Sequence, residues 1–258
     1  MEVTARKRLR RRRLARVLFT GLGLILIVLA GIAGYALANS SLFDLREIRI
    51  EGNLAVPREE LLVLSGLRLG TNLLRVSPAE AKAQLLTQPY IKEVEVRRRF
   101  PSEMSIKVVE RAPMVLVSYD TQSLILDSEG ICLENGNKAA AMAASWVQTP
   151  AIKSNFAAIQ MKPGDKTEDE GILAAIALLK QLDAYFMENI LEIDAASAWT
   201  LSVINLDGLT VYFGPPENLA QKLQNYEDLL IKNREECNAD TLEYVDLRYD
   251  TQPIIKRK

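Results

Sequence analysis

Near the start of this chain stands an uncharged run of 22 residues, Val17 to Ala38, VLFTGLGLILIVLAGIAGYALA, after which the next charged side chain is Asp44. As a helix rising about 1.5 Å per residue it covers roughly 33 Å, enough to cross a hydrocarbon core of about 30 Å. Read as a membrane span, it divides the chain into a short leader and a long remainder that meet different solvents. The charge distribution supports that division. The overall net charge is −1. The first sixteen residues hold eight Lys or Arg against the single Glu2, leaving 24 basic and 32 acidic residues of the totals 32 and 33 for the rest. Lys and Arg clustered beside a span are retained in the cytoplasm, so residues 1–16 are expected inside, 17–38 in the membrane and everything after residue 38 outside.

Two other readings of the same segment compete with this one. The run RKRLRRRR could contact nucleic acid, but its charge stops abruptly where the apolar run begins. Ala36-Leu37-Ala38 fits a signal-peptidase pattern. Against cleavage, the 19 apolar-rich residues from Val17 to Tyr35 exceed the about 7 to 15 of a signal h-region, which favours an uncleaved anchor.

Past the span, local patterns give a small α+β unit. Leu45, Ile48 and Ile50 outline a strand ending at Gly52-Asn53. VPREELLVLSGL places Pro57 at a helix start, acids in its first turn and Gly66 at its stop. Ser77, Pro78 and Glu80 form a capping box that opens a second helix, from Pro78 to about Gln88. In VEVRRRFPSEMSIKVVERAP, Val94 and Val96 alternate with Glu95 and Arg97. After a turn containing Pro101, Met104, Ile106 and Val108 alternate with polar or exposed positions, giving two strands buried on one face. The order β-α-α-β-β suits a three-stranded sheet with both helices on one face.

From Met114 onward the pattern is richer in strands. MVLVSYDTQSLILDSEGICLEN reads as short strands with a tight turn at Asp127 to Gly130. A helix is expected from Glu168 to about Phe186, then three strands in ILEIDAAS, WTLSVIN and LTVYFG with a hairpin turn at Asp207-Gly208. A further helix follows Pro216, with Leu219, Leu223, Tyr226 and Leu230 on one face, and TLEYVDLRYD closes as a strand. Residues 138–165 show no clear pattern.

The sequence has no histidine, which removes Ser-His-Asp, Cys-His and His-metal arrangements. Ser-x-x-Lys, Gly-x-Ser-x-Gly, P-loop and Cys-x-x-Cys patterns are absent as well. No catalysis, cofactor, metal, nucleic acid or small-molecule substrate is expected. Cys132 and Cys237 fit either a disulfide or two separate buried thiols.

The segments EIRIEGN, YIKEVEVRRRFPSEMSIKVVERAP and YVDLRYD, set outside a single span with a basic tail, resemble the bacterial cell-division family FtsQ, called DivIB in Gram-positive organisms. The resemblance covers essentially the whole chain. It implies a POTRA-like domain at 43–113 and a β-rich α+β domain at 114–258. It further implies a non-catalytic scaffold of the divisome, in the cell membrane at the septum, that supports septal wall synthesis. The partners it implies are small bitopic division proteins of the FtsB or DivIC and FtsL kinds, among other divisome proteins. A module for export or outer-membrane assembly with a chaperone-like POTRA domain is the alternative, though it usually carries repeated copies or a barrel. Partner contact is expected at two places. One is the strand carrying Val94, Val96, Arg97 and Arg99, where charge could equally protect an edge from aggregation. The other is Leu247, Arg248, Tyr249 and Asp250, where a partner strand could extend an open edge. In a continuous strand Tyr249 shares a face with Leu247 and Val245, and Arg248 points the other way, toward an acid. The Ser-Gly expected after RYD is replaced by Thr251-Gln252, and Pro253 interrupts pairing.

Overall fold

The computed structural model describes residues 21–32, 34–36, 38–119, 122–143, 151–154, 161–232, 237–249 and 252–258. Residues 21–32, 34–36 and 38 are helical. No helix among the described residues is long and apolar enough to cross a membrane. The basic tail 1–16 and positions 17–20, 33 and 37 of the expected span lie outside the described residues. The chain divides into two compact units, one containing the residues up to Leu85 with Val94–Val108, the other Leu86–Glu93 with Val109–Lys258.

In the first unit, a 3-10 turn at Ser41–Phe43 leads into strand β1 (Glu47–Glu51), helices α1 (Arg58–Ser65) and α2 (Pro78–Leu85), then most of strands β2 (Ile91–Arg99) and β3 (Glu103–Glu110). The sheet order is β1-β3-β2, with β1 parallel to β3, so β2 is an edge strand. Local chemistry sets the helix ends. Pro57 stands just before α1, with Glu59 and Glu60 in the first turn, where the helix dipole favours negative charge. Gly66 closes α1 at φ 66°, the left-handed region that a side chain resists. At α2 the Glu80 amide donates to Ser77 Oγ at 3.3 Å, and the helix ends at Leu85, three residues short of the expected Gln88. Alternate residues Ile48 and Ile50, Val94, and Met104, Ile106 and Val108 are buried together with Leu61, Leu73, Ala81 and Leu85. The opposite sheet face is mostly polar, as a period of two predicts for a one-sided sheet, with Val109 exposed among charged neighbours.

The second unit is built on a nine-stranded sheet of order β12-β11-β10-β9-β8-β7-β4-β5-β6. Its strands are β4 (Pro113–Tyr119), β5 (Gln122–Asp127), β6 (Cys132–Asn135), β7 (Ala151–Lys153), β8 (Ile190–Asp194), β9 (Ser202–Asn205), β10 (Thr210–Tyr212), β11 (Leu242–Asp246) and β12 (Ile254–Arg257). The pairs β4-β7, β7-β8 and β10-β11 are parallel, and the others antiparallel. Helices α4 (Glu170–Leu179) and α6 (Leu219–Lys232) supply the main core on one side, with Ile172, Ala175, Leu178, Leu219, Leu223 and Tyr226 buried with Val117, Leu126, Ile152, Ile193, Val203, Val211 and Val245. Helix α3 (Gly136–Ala143) belongs to a smaller cluster with Ile125 and Leu133.

Three local expectations are corrected. The helix expected from Glu168 to Phe186 is two, α4 and α5 (Ala184–Asn189). The break falls where Asp183, in extended conformation, accepts the Phe186 amide at 2.9 Å and starts a new helix. Helix α6 begins at Leu219 rather than beside Pro216, because Asn218 sits at φ 53°. The last expected strand stops at Asp246, for reasons given below.

The turn after β5 is held by Asp127, whose Oδ1 accepts the amides of Glu129 and Ile131, each at 2.8 Å. Its Oδ2 accepts from Arg111 Nη1 at 2.5 Å, and the same guanidinium donates to Glu129 at 2.8 Å. Lys92 Nζ donates to Glu129 at 2.7 Å. Hydrogen bonds from Lys92 and then Arg111 pull the Glu129 carboxyl down to about 2. Cys132 and Cys237 are separate, buried thiols, and burial pushes Cys132 up to about 11.

Candidate partner-binding surfaces

On edge strand β2 the burial pattern separates the proposed residues. Val94 lies in the core and Val96 is half-buried, so a partner would reach their backbone rather than their side chains. Arg97 and Arg99 are exposed, and Arg97 pairs with Glu95 on its own strand. Arg98, on the other face, turns back so that its Nη2 donates to the Val76 carbonyl at 2.6 Å. The far edge of the sheet is partly closed, since Arg58 Nη2 donates to the Ile48 carbonyl of β1 at 2.7 Å. Of the two edges, β2 presents the run of arginines, while the single arginine of β1, Arg49, is paired with Glu47 and Glu103.

The C-terminal candidates are arranged by one acid. Asp246 ends β11 with its side chain 6% accessible. Its Oδ1 accepts the Arg248 amide at 3.0 Å and Arg248 Nε at 2.9 Å, and its Oδ2 accepts Nη2 at 2.6 Å. An aspartate bonded to the amide two residues on is a turn former. That is why the chain leaves the strand at Asp246 and why Tyr249 does not continue the face of Val245 and Leu247. Leu247 is buried and its amide donates to the Tyr212 carbonyl at 2.8 Å, while Tyr249 is 58% exposed. The acid that Arg248 meets is therefore Asp246 of the same chain. The hydrogen bond from Arg248 holds the Asp246 carboxyl below its ordinary range, and the same bond raises Arg248. Asp250 lies outside the described residues.

Around this pair a row of cations and rings runs across the sheet. The Arg248 guanidinium lies 5.4 Å from the centre of the Tyr212 ring, Tyr212 meets Tyr244 edge-on at 5.5 Å, and Lys256 stands 5.7 Å from Tyr244. Lys256 also pairs with Glu243 at 2.8 Å. Two supporting residues do not stand out in the sequence. Gly214, at φ 66°, lets the Arg248 side chain pass, since a β-carbon there would lie 2.8 Å from Arg248 Cγ. Lys222 is 2% exposed, and its Nζ donates to the carbonyls of Phe213 and Pro215 at 2.8 and 2.9 Å, fastening the loop that carries Gly214. A lysine on the apolar stripe between Leu219 and Tyr226 is the one signal that points to it.

The strand that borders this cluster is β12. It pairs antiparallel with β11, so the edge of β11 is covered by the chain's own end. Pro253 precedes β12 rather than interrupting it. The four residues Ile254 to Arg257 are all exposed, and no strand lies beyond β12 among the described residues.

A small sheet-and-two-helix unit followed by a strand-rich unit defines the class. Residues 43–111 match the POTRA domain of the FtsQ type, and residues 115–248 match the C-terminal domain of cell division protein FtsQ/DivIB. The chain is similar to cell division protein FtsQ of Syntrophotalea carbinolica, with 31% identity over 248 residues, 91% of this chain and 81% of the relative. It is similar to FtsQ of Geobacter sp. (strain M21), with 27% identity over 239 residues, 88% of this chain and 82% of that one. Cell division protein DivIB of Clostridium botulinum (strain Loch Maree / Type A3) is 24% identical over 221 residues, 82% and 81% of the two chains. The chain belongs to the FtsQ/DivIB family of cell-division proteins.

Proposed function

We propose that this protein is a non-catalytic scaffold of the bacterial division machinery, anchored in the cell membrane by the segment 17–38 with its N-terminus in the cytoplasm. Domains at 43–113 and 114–258 face outward at the septum and link division proteins so that septal wall synthesis can proceed. Family membership supports the division role, and the uncharged run next to eight basic residues supports the anchor. The lack of any histidine supports a binding rather than a chemical task.

The observation that carries the linking role is β12, an outermost strand with all four residues exposed beside the Arg248–Tyr212–Tyr244–Lys256 row. An extended segment of a bitopic partner of the FtsB or DivIC and FtsL kinds adds to this edge by main-chain hydrogen bonds, with Tyr249 as its side-chain anchor and Lys256 and Arg257 selecting an acidic strand. The β2 edge, with Arg97 and Arg99, is a second contact that recruits the protein to the septum. Depletion followed by microscopy tests the role: filaments without septa are expected, and normal division overturns it. Protease added to intact spheroplasts should remove a tag at Lys258, and protection of the tag would reverse the topology.

A further inference from the structure

The first unit carries a further surface, apart from the proposed partner edges, at the exit of the apolar N-terminal helix. The helix ends where Asn39 Nδ2 donates to the Tyr35 carbonyl at 2.8 Å, and the Ser41–Phe43 turn follows at once, leaving no slack between helix and domain. The loop between α1 and α2 is tied to this exit. Asn72 Nδ2 donates to the Ala38 carbonyl at 2.9 Å, and Arg75 Nη2 to Asn39 Oδ1 at 2.5 Å. From the other side Arg46 Nη2 approaches the Ser41 carbonyl at 3.4 Å. Two exposed guanidinium groups are thus held at the first residues beyond the helix. Beside them stand large apolar side chains in solvent, with Leu42 56%, Leu74 40% and Phe100 61% exposed. Phe100 is fixed there by an edge-on contact with Phe43 at 6.1 Å. Apolar side chains interleaved with arginine, at the point where a span leaves the bilayer, have the composition of an interfacial membrane contact.

We infer that this end of the first unit seats on the outer surface of the membrane, Leu42, Leu74 and Phe100 entering the headgroup region while Arg46 and Arg75 bind the phosphates of anionic phospholipids. The inference rests on the membrane-anchor reading above. With no slack at Ser40, the helix delivers this face to the lipid surface, and the guanidinium groups match its charge. Seating fixes the direction in which the β1-β3-β2 sheet stands away from the membrane, because β1 and β3 start at this end, where the Arg46 amide donates to the Ser102 carbonyl at 2.8 Å.

The test uses the full chain in lipid nanodiscs containing phosphatidylglycerol, with quenching bromine atoms on the lipid near the headgroup. Phe100→Trp reports the proposed contact. Leu54→Trp, past the far end of β1 and roughly 15 Å along the strand, reports the opposite end. Emission introduced by Phe100→Trp is expected to be quenched and that of Leu54→Trp not. Replacing phosphatidylglycerol with phosphatidylcholine, or Arg46 and Arg75 with Glu, should lower the docked-to-undocked ratio by about fivefold for each arginine whose phosphate is removed. The paired Lys variants should retain docking. If the chain resists alkaline extraction yet Phe100→Trp is quenched no more than Leu54→Trp, the inference fails while the anchor stands. Release of the chain by alkaline extraction sinks both. Quenching indifferent to anionic lipid overturns the headgroup assignment. Shielding of Phe100→Trp only when an acidic division-protein segment is added would give the surface to a protein partner.

Discussion

Arg248→Ala should cost stability in a way that depends on pH, and the dependence identifies the cause. Asp246 is almost wholly enclosed, its side chain 6% accessible, and the Arg248 guanidinium donates three hydrogen bonds to its carboxylate. Removing one partner of a fully buried pair costs about 3–5 kcal/mol because the other charge is left uncompensated. The Arg248 side chain is 45% accessible, so solvent screens the pair and the figure is discounted to about 1–3 kcal/mol. The Arg248 amide still bonds Oδ1, which limits the loss further. Asp246 titrates below its ordinary range in the folded protein, so the stability it contributes is present above the unfolded carboxylate value and is lost as pH falls through the lower, folded one. The gap between parent and Arg248→Ala should therefore be full at pH 7 and close in acid. Thermal unfolding of region 39–258 across pH measures it, at about 2–4 °C for each kcal/mol in a domain of this size. A gap that persists unchanged at low pH would show that Arg248 acts by packing on Tyr212 and Gly214 instead of by pairing with Asp246.

A second charge cluster and the loop beneath Arg248 give two more tests. Glu129→Gln should flatten the acid limb of the stability curve. Its folded value near 2 lies below the ordinary 4.5, so the parent loses this contribution as pH drops through that window and the variant has none to lose; acid titration by circular dichroism reads the difference, and identical curves would refute the Lys92–Glu129–Arg111 coupling. Gly214→Ala should destabilise by about 1–2 kcal/mol from the left-handed backbone alone. It should also displace Arg248, seen as a change in the Arg248 Nε–H resonance, and a variant as stable as the parent with that resonance unmoved would mean that the loop does not hold Arg248 in place.

Much of the first unit can be read locally because its signals are local. Ser77, Pro78 and Glu80 start a helix wherever they occur, Gly66 ends one, and Val94, Met104, Ile106 and Val108 alternate with a period of two that any one-sided sheet imposes. The order β12-β11-β10-β9-β8-β7-β4-β5-β6 has no such local signature, since β4 finds β7 and β10 finds β11 across intervening elements. Nothing local marks Ile254 to Arg257 as a strand, because a short, wholly exposed strand shows no alternation. The end of β11 is hidden in the sequence because Asp246 and Arg248 look like alternating strand residues until the aspartate is seen to accept the amide two residues on. Of the candidate residues, exposure at Arg97, Arg99 and Tyr249 fits their types, while Leu247 and Val94 are the apolar members that the core takes.

In the proposed function a partner strand joins the chain at β12 and is anchored by Tyr249. Titration of region 39–258 with the exported segment of a bitopic division partner tests it most directly. Tyr249→Ala should weaken binding by about 2 kcal/mol, roughly thirtyfold in Kd. Deletion of residues 254–258 should abolish binding, and Arg97→Glu with Arg99→Glu should leave it unchanged. Binding that survives both C-terminal changes and is lost with Arg97→Glu and Arg99→Glu would put the partner strand on β2 and not on β12.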